Sequence, residues 1–289
     1  MGEGLDRIDD LETLDARQFT IALRRLANGL AYGIDRSPFV GSGLEFAQSR
    51  PYEPGDPVRQ MDWRVTARTG KPFVKEYETT KSMPCYLLID TSASMTVSSA
   101  ERSKYHLALY IAGGIALACL DRVSPVGVIG VGERALRVQP SLSRDRVLQW
   151  LHQLRSFRSD ERTQLVLRLS ELGPSLRQRS LVIVLSDLHE PNCIGALKRL
   201  AQEHEVVALI LQDPAEERLK GAGFLRATEA ETGREFVTHG RRRWTDARAH
   251  ERELVRLGID RLLIRTDQPF EHALRNLFRS RGYLGRGAR

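Results

Sequence analysis

One stretch constrains this chain more than any other: Pro84-Cys85-Tyr86-Leu87-Leu88-Ile89-Asp90-Thr91-Ser92-Ala93-Ser94-Met95. An unbroken apolar run, rich in strand formers and too short for a helix of ordinary length, stops at a carboxylate and gives way to hydroxyls spaced two apart. The pattern predicts a buried strand with oxygen ligands at its carboxyl end. In an open parallel sheet, ligands bind outside the carboxyl ends of the strands, so Asp90, Ser92 and Ser94 stand where a site is expected.

The segments after Pro84 repeat the theme. Apolar runs at 85–89, 126–131, 181–185, 206–211 and 261–264 alternate with helical stretches at about 101–120, 143–156, 164–172, 193–204, 243–257 and 269–280. Such alternation predicts an α/β fold with a mostly parallel sheet covered on both faces. Val128 to Val138, turning at Gly132-Glu133, reads as a hairpin that adds one antiparallel edge strand. A second hairpin is expected near Leu225 to Val237, with Glu231-Thr232-Gly233 as its turn. The helix at 101–120 is apolar nearly all round, and its small residues, Gly113 and Gly114 among them, suit close approach to the sheet. Before Pro84 the character differs. Residues 12–31 read as an amphipathic helix, and 36–82, punctuated by Gly and Pro, as a small β-rich attachment. The expected division is therefore 1–82, helix plus attachment, and 83–289, the α/β domain.

Composition removes several classes. With 289 residues the chain can bury a core without staples. Cys85, Cys119 and Cys193 are too scattered for a disulfide framework or a zinc spacing, which fits a reducing compartment. The acidic N-terminus lacks the features of a signal peptide, and the longest apolar run, Leu107 to Leu120, is short of the roughly 20 residues that span a bilayer. A cytoplasmic protein without a membrane span is expected. The net charge of +7 lies entirely in residues 241–289, which hold 13 Arg against 6 Asp or Glu. A basic end can serve nucleic acid. No aromatic platform accompanies these arginines, however, and acidic residues follow at helical spacing, which favours a solvated helix face.

Asp90-Thr91-Ser92-Ala93-Ser94 fits D-x-S-x-S, a set of hard oxygen donors suited to Mg²⁺ or Mn²⁺ and unsuited to zinc or copper. Taken alone it reads equally well as turn and helix-cap chemistry. Leu181 to Asp187 adds a second apolar strand ending in Ser-Asp, so two carboxylates can face one crevice. Between them, Thr163 precedes a helical stretch and is a third hydroxyl donor or a helix N-cap.

These features resemble the metal-ion-dependent adhesion site of von Willebrand factor A domains. Upstream, Gly41-Ser42-Gly43-Leu44-Glu45-Phe46, then Arg50-Pro51-Tyr52-Glu53-Pro54-Gly55-Asp56-Pro57-Val58-Arg59-Gln60-Met61-Asp62-Trp63 and Ala67-Arg68, is similar to the signature of a bacterial family labelled domain of unknown function 58. The resemblance implies a Rossmann-like von Willebrand A domain in which Ser92, Ser94 and Thr163 bind the metal through hydroxyls. It further implies that Asp90 and Asp187 act through bridging waters, with one position open for a partner's carboxylate. It also implies an adaptor or co-factor role beside a MoxR-type AAA+ ATPase. Related A domains often carry a glycine pair where this chain has Glu161-Arg162.

The segment from Arg50 to Arg68 has two readings. Tyr52, Arg59 and Trp63 present a partner surface, or they belong to a Trp-anchored plug, the reading the mixture of Asp62-Trp63-Arg64 favours. An enzymatic alternative makes Asp90 the phosphoryl acceptor of a Mg²⁺-dependent phosphatase. Phosphatases of that kind resemble D-x-D-x-T, whereas position 92 is serine and no second carboxylate in the motif supplies an acid or base. The sequence reading is thus a non-enzymatic, divalent-metal-dependent protein-interaction module.

Overall fold

In chain order the elements are α1 (Ala16–Ala31), β1 (Leu44–Pro51), α2 (Trp63–Thr69), β2 (Phe73–Thr79), β3 (Cys85–Ile89), α3 (Lys104–Leu120), β4 (Val126–Gly130), β5 (Arg137–Ser141) and α4 (Arg144–Arg155). They continue with α5 (Leu165–Ser175), β6 (Leu181–Ser186), α6 (Cys193–Leu200), β7 (Glu205–Gln212), α7 (Pro214–Glu217), β8 (Phe224–Thr228), β9 (Glu235–His239), α8 (Ala247–Arg256), β10 (Asp260–Arg265) and α9 (Glu271–Arg281). The computed structural model describes residues 16–31, 44–79, 83–134, 136–155, 161–217, 224–228, 235–239 and 247–281.

The central sheet has six strands in the order β10-β7-β6-β3-β4-β5. All neighbouring pairs are parallel except β4 with β5. This is the expected mostly parallel sheet with one antiparallel edge strand. Counted from β3 as first, the order is 3-2-1-4-5-6, the doubly wound arrangement whose chain direction reverses between its first and fourth strands. Those strands are β3 and β6, paired from Cys85↔Leu181 to Ile89↔Leu185. Both candidate strand ends therefore flank the switch point. Side chains alternate across the sheet. Leu87 and Ile89 face a core layer with α1, α3, α4 and α9, while Tyr86 and Leu88 face a second layer with α5, α6 and α8. β8 and β9 pair antiparallel, Leu225 opposite Thr238, and the expected turn at 231–233 lies outside the described residues.

Helix α3 is buried along nearly its whole length because it is covered twice, by the sheet on one side and by α1 and α4 on the other. Phe19, Leu23, Leu26 and Leu30 of α1 are all buried against it, each worth about 1.5–3 kcal/mol on transfer from water. This corrects the division at residue 82. The chain forms two units, Asp35–Ser82 and Met1–Ile34 with Met83–Arg289, and α1 belongs to the larger one because its apolar stripe covers α3. Gly113 and Gly114 make this approach possible, so they serve the contact with α1 and not the expected approach to the sheet. A Cβ on Gly114 would fall 2.5 Å from Leu26 Cδ2 and 2.6 Å from Leu26 Cγ.

The unit Asp35–Ser82 is built on the antiparallel pair β1 and β2, with a register shift between Phe46 and Gln48. Arg50 grips Asp56 with two hydrogen bonds, Nη1 to Oδ2 at 2.8 Å and Nη2 to Oδ1 at 2.7 Å. Those bonds hold the Asp56 carboxyl below its usual range. Asp62 caps α2 by accepting the Arg64 and Val65 amides, and it also accepts the Ser49 hydroxyl at 2.7 Å. Asp62 is thus the buried residue of Asp62-Trp63-Arg64, and Trp63 is 64% exposed. The Trp-anchored plug is corrected on that point: the cap faces inward and the indole outward.

Replacing Gly114 by Val is expected to destabilise the protein by about 1–3 kcal/mol, since overpacking the helix contact outweighs the few tenths of a kcal/mol, about 0.3–0.5, gained on exchanging glycine for a β-branched residue. A denaturant midpoint equal to or above that of the wild type would contradict this packing.

Candidate functional site

The loop after β3 turns on Asp90. Its Oδ1 accepts the Ser92 amide at 3.0 Å, bending the chain so that a 3₁₀ turn at Ala93–Thr96 follows at once. Its Oδ2 accepts the Ser186 hydroxyl at 2.6 Å, tying the ends of β3 and β6 together. Ser92 Oγ and Ser94 Oγ lie 3.0 Å apart, and Ser94 donates to Asp187 Oδ2 at 2.9 Å. Thr163 donates to Asp90 Oδ1 at 3.4 Å. All five candidate residues, Asp90, Ser92, Ser94, Thr163 and Asp187, therefore gather at the switch point. Thr163 is not the cap of α5, because Gln164 holds that position and the Val166 amide is satisfied by Glu190 Oε2 at 3.1 Å.

The two carboxylates differ in their surroundings. Burial, reinforced by the neighbouring Asp187, pushes the Asp90 carboxyl up to about 7, against the pull of hydrogen bonds from Ser186 and Ser92. Asp187 is as deeply buried, but His189 and Lys104 outweigh that burial and hold it below the usual carboxylate range. Lys104 Nζ donates to Asp187 Oδ2 at 2.7 Å and also to Glu216 Oε1, and His189 Nδ1 is 3.3 Å from the same Asp187 oxygen. Leu188, next in the chain, takes a left-handed φ of 56°, with its side chain buried and its amide on Ser186 Oγ at 3.0 Å. That conformation sets the direction in which the loop leaves the sheet.

A second device fixes the opposite wall. The Glu161 carboxylate is buried, accepting the Thr91 hydroxyl on Oε1 and the Arg134 amide on Oε2 at 2.7 Å. Its backbone bridges to Ser92, and its carbonyl accepts the Ala93 amide at 2.9 Å. Gly132 leaves the room for it, since a Cβ there would stand 1.9 Å from Glu161 Oε1. Farther along the sheet edge, Asp213 closes β7 and accepts the Ser99 amide at 2.8 Å and the Thr266 hydroxyl at 3.2 Å.

Motif spacing did not disclose Ser186 as a partner of Asp90, or the roles of Glu161 and Glu216. Lys104 carried a usable signal. It is the only Lys, Arg, Asp or Glu in α3, and it opens the helix, where a cation opposes the helix dipole. Of the candidate partner residues, Arg59 and Trp63 are exposed and Tyr52 is half-buried. Among the C-terminal arginines, Arg265 pairs with Asp267 at 3.0 Å and Arg261 lies 4.0 Å from Glu251, while Arg241 to Arg243 lie outside the described residues. No helix among the described residues is long and apolar enough to cross a membrane.

A doubly wound α/β domain with an oxygen-lined cradle at its switch point is thus the class that fold and site define. The chain belongs to the family described as "Protein of unknown function DUF58", whose model matches residues 48–254. It is 30% identical over 276 residues to the uncharacterized protein Rv1480 of Mycobacterium tuberculosis, covering 90% of this chain and 87% of that one. It is 28% identical over 148 residues to the uncharacterized protein YeaD of Bacillus subtilis, covering 50% of this chain and 35% of the relative. Among solved structures, an uncharacterized membrane-spanning protein from Vibrio fischeri matches 68% of this chain and 95% of its own at 16% identity, with a TM-score of 0.21.

Two outcomes follow from this geometry. Glu161→Ala leaves the buried Thr91 hydroxyl without its acceptor and frees the part-buried Arg134 amide, and a loss of about 1–3 kcal/mol in urea unfolding is expected. For Asp90 the sign is set by its raised pKa. The native state keeps a proton that the unfolded chain releases above pH 3.8, so this carboxyl progressively costs stability as pH rises toward about 7. In chelator, the stability of Asp90→Asn relative to wild type is therefore expected to increase from pH 5 to pH 8. A difference independent of pH would contradict the assigned environment.

Proposed function

We propose that this protein is a divalent-metal-dependent protein-interaction module of the von Willebrand factor A type, binding Mg²⁺ or Mn²⁺ rather than catalysing a reaction. The observation that carries the reading is the convergence of Asp90, Ser92, Ser94, Thr163 and Asp187 at the switch point of the sheet. The donor set fits the ion: every donor is oxygen, as Mg²⁺ and Mn²⁺ prefer, and the three cysteines are buried and free rather than part of the cradle. The raised Asp90 carboxyl fits as well: burial first, and the neighbouring Asp187 second, hold the proton there, and a cation beside both carboxylates offsets each of these costs of ionisation.

In this reading Ser92, Ser94 and Thr163 hold the ion through hydroxyls, and Asp90 and Asp187 orient them and its waters. The bound ion supplies an electrophilic position that a carboxylate from a partner protein completes. Ser94 is only partly buried, which leaves that side of the cradle open to an incoming ligand. The partner class suggested by the family resemblance is a MoxR-type AAA+ ATPase, with this chain as a cytoplasmic adaptor. Asp90 is poorly suited to be a phosphoryl acceptor, since it is fully buried with both oxygens engaged.

The test is partner capture from lysate with and without chelator, together with Mn²⁺ titration of the purified chain. Asp90→Ala and Ser92→Ala are each expected to weaken Mn²⁺ binding by about 10–100-fold, the range typical of losing a metal site's ligands or their supports. Capture that persists undiminished in chelator and in both variants would sink the metal-bridge reading.

A further inference from the structure

Lys104 is a cation buried beside the cradle. Its side chain is fully buried, and its ammonium lies between two carboxylates, Asp187 and Glu216. Burial works against its charge, but these two carboxylates prevail and keep it protonated. Its position at the start of α3 opposes the helix dipole, so stabilising the helix is not what the charge does there. The oxygen it holds, Asp187 Oδ2, also accepts Ser94 Oγ at 2.9 Å. A cation ligated by Ser94 would therefore share that carboxylate with the ammonium.

We infer that Lys104 is a resident counter-cation of the cradle, which neutralises Asp187 and so lowers the site's own affinity for a divalent ion. The inference rests on the reading of the cradle as a cation site and specifies how that site is tuned. With Asp187 committed to Lys104, the ion meets less negative charge from this chain than its carboxylates alone would supply. A carboxylate brought by a partner then supplies the missing charge, so ion and partner bind together rather than in sequence. Glu216, on α7, sets the balance: it draws the ammonium toward itself, and its Oε2 is fixed by the Asp213 amide at 3.2 Å.

The experiment is calorimetric titration of the full chain with Mn²⁺ alone, comparing wild type, Lys104→Met and Glu216→Gln, with thermal unfolding of each. Lys104→Met frees Asp187 and is expected to tighten Mn²⁺ by at least about tenfold, the equivalent of one pKa unit of interaction. Glu216→Gln leaves the ammonium to Asp187 alone and is expected to weaken Mn²⁺ binding. A merely structural ion pair would weaken binding in both variants through loss of order, so opposite signs identify the counter-cation. Unchanged or weaker binding in a folded Lys104→Met overturns the inference. If Lys104→Met does not fold, Glu216→Gln decides, and unchanged or tighter binding there overturns it. Wild-type binding that neither variant alters refutes the role of Lys104 alone, whereas no binding in any of the three refutes the cation site as well.

Discussion

Two carboxylates buried side by side at the ends of β3 and β6 are the constraint on which the rest of this structure depends. Carboxylates removed from water and close to one another cannot both ionise without compensation. The protein resolves this asymmetrically. Asp187 receives Lys104 and His189, while Asp90 receives hydroxyls and an amide and keeps a proton near neutral pH. The polar groups around the switch point can be understood as responses to that problem. Ser186 joins the two strand ends through Asp90, and Leu188 accepts an unfavourable backbone angle to carry the chain away.

Rigidity comes from behind the cradle. Helix α3 delivers Lys104 to Asp187, and it can do so because it is clamped between the sheet and α1. The clamp needs glycine at 113 and 114, where leucines of α1 come closer to the backbone than any Cβ allows. On the far side, Glu161 sits where Gly132 leaves space and holds the post-β3 loop by both side chain and backbone. The wall is fastened by a buried acid, and the bridges from Glu161 to Ser92 and from Thr163 to Gly132 tie it to the loop that carries Ser92.

The smaller unit follows a different logic. A bidentate Arg50–Asp56 pair and the Asp62 cap fold a loop-rich segment around a two-stranded ladder. Its one tryptophan points outward rather than into a core. A stretch dense in Pro, Gly and charge thus keeps its shape through a few partly buried polar contacts, and its tryptophan is left for the surface.

The amino-acid sequence determined the α/β class, the strand positions and the antiparallel edge, because hydrophobic period and length are local properties that burial on both faces of a sheet imposes directly. It also marked Asp90, Ser92, Ser94, Thr163 and Asp187, since each follows closely on an apolar run or precedes a helical stretch visible in the chain itself. Only the tertiary structure decided what those residues touch. Ser186 on Asp90, Lys104 between Asp187 and Glu216, and Glu161 under Gly132 are pairings across many residues of chain, and no local period encodes a partner. The ownership of α1 was decided the same way: its apolar stripe was legible, but the surface that stripe covers exists only once α3 is packed on the sheet.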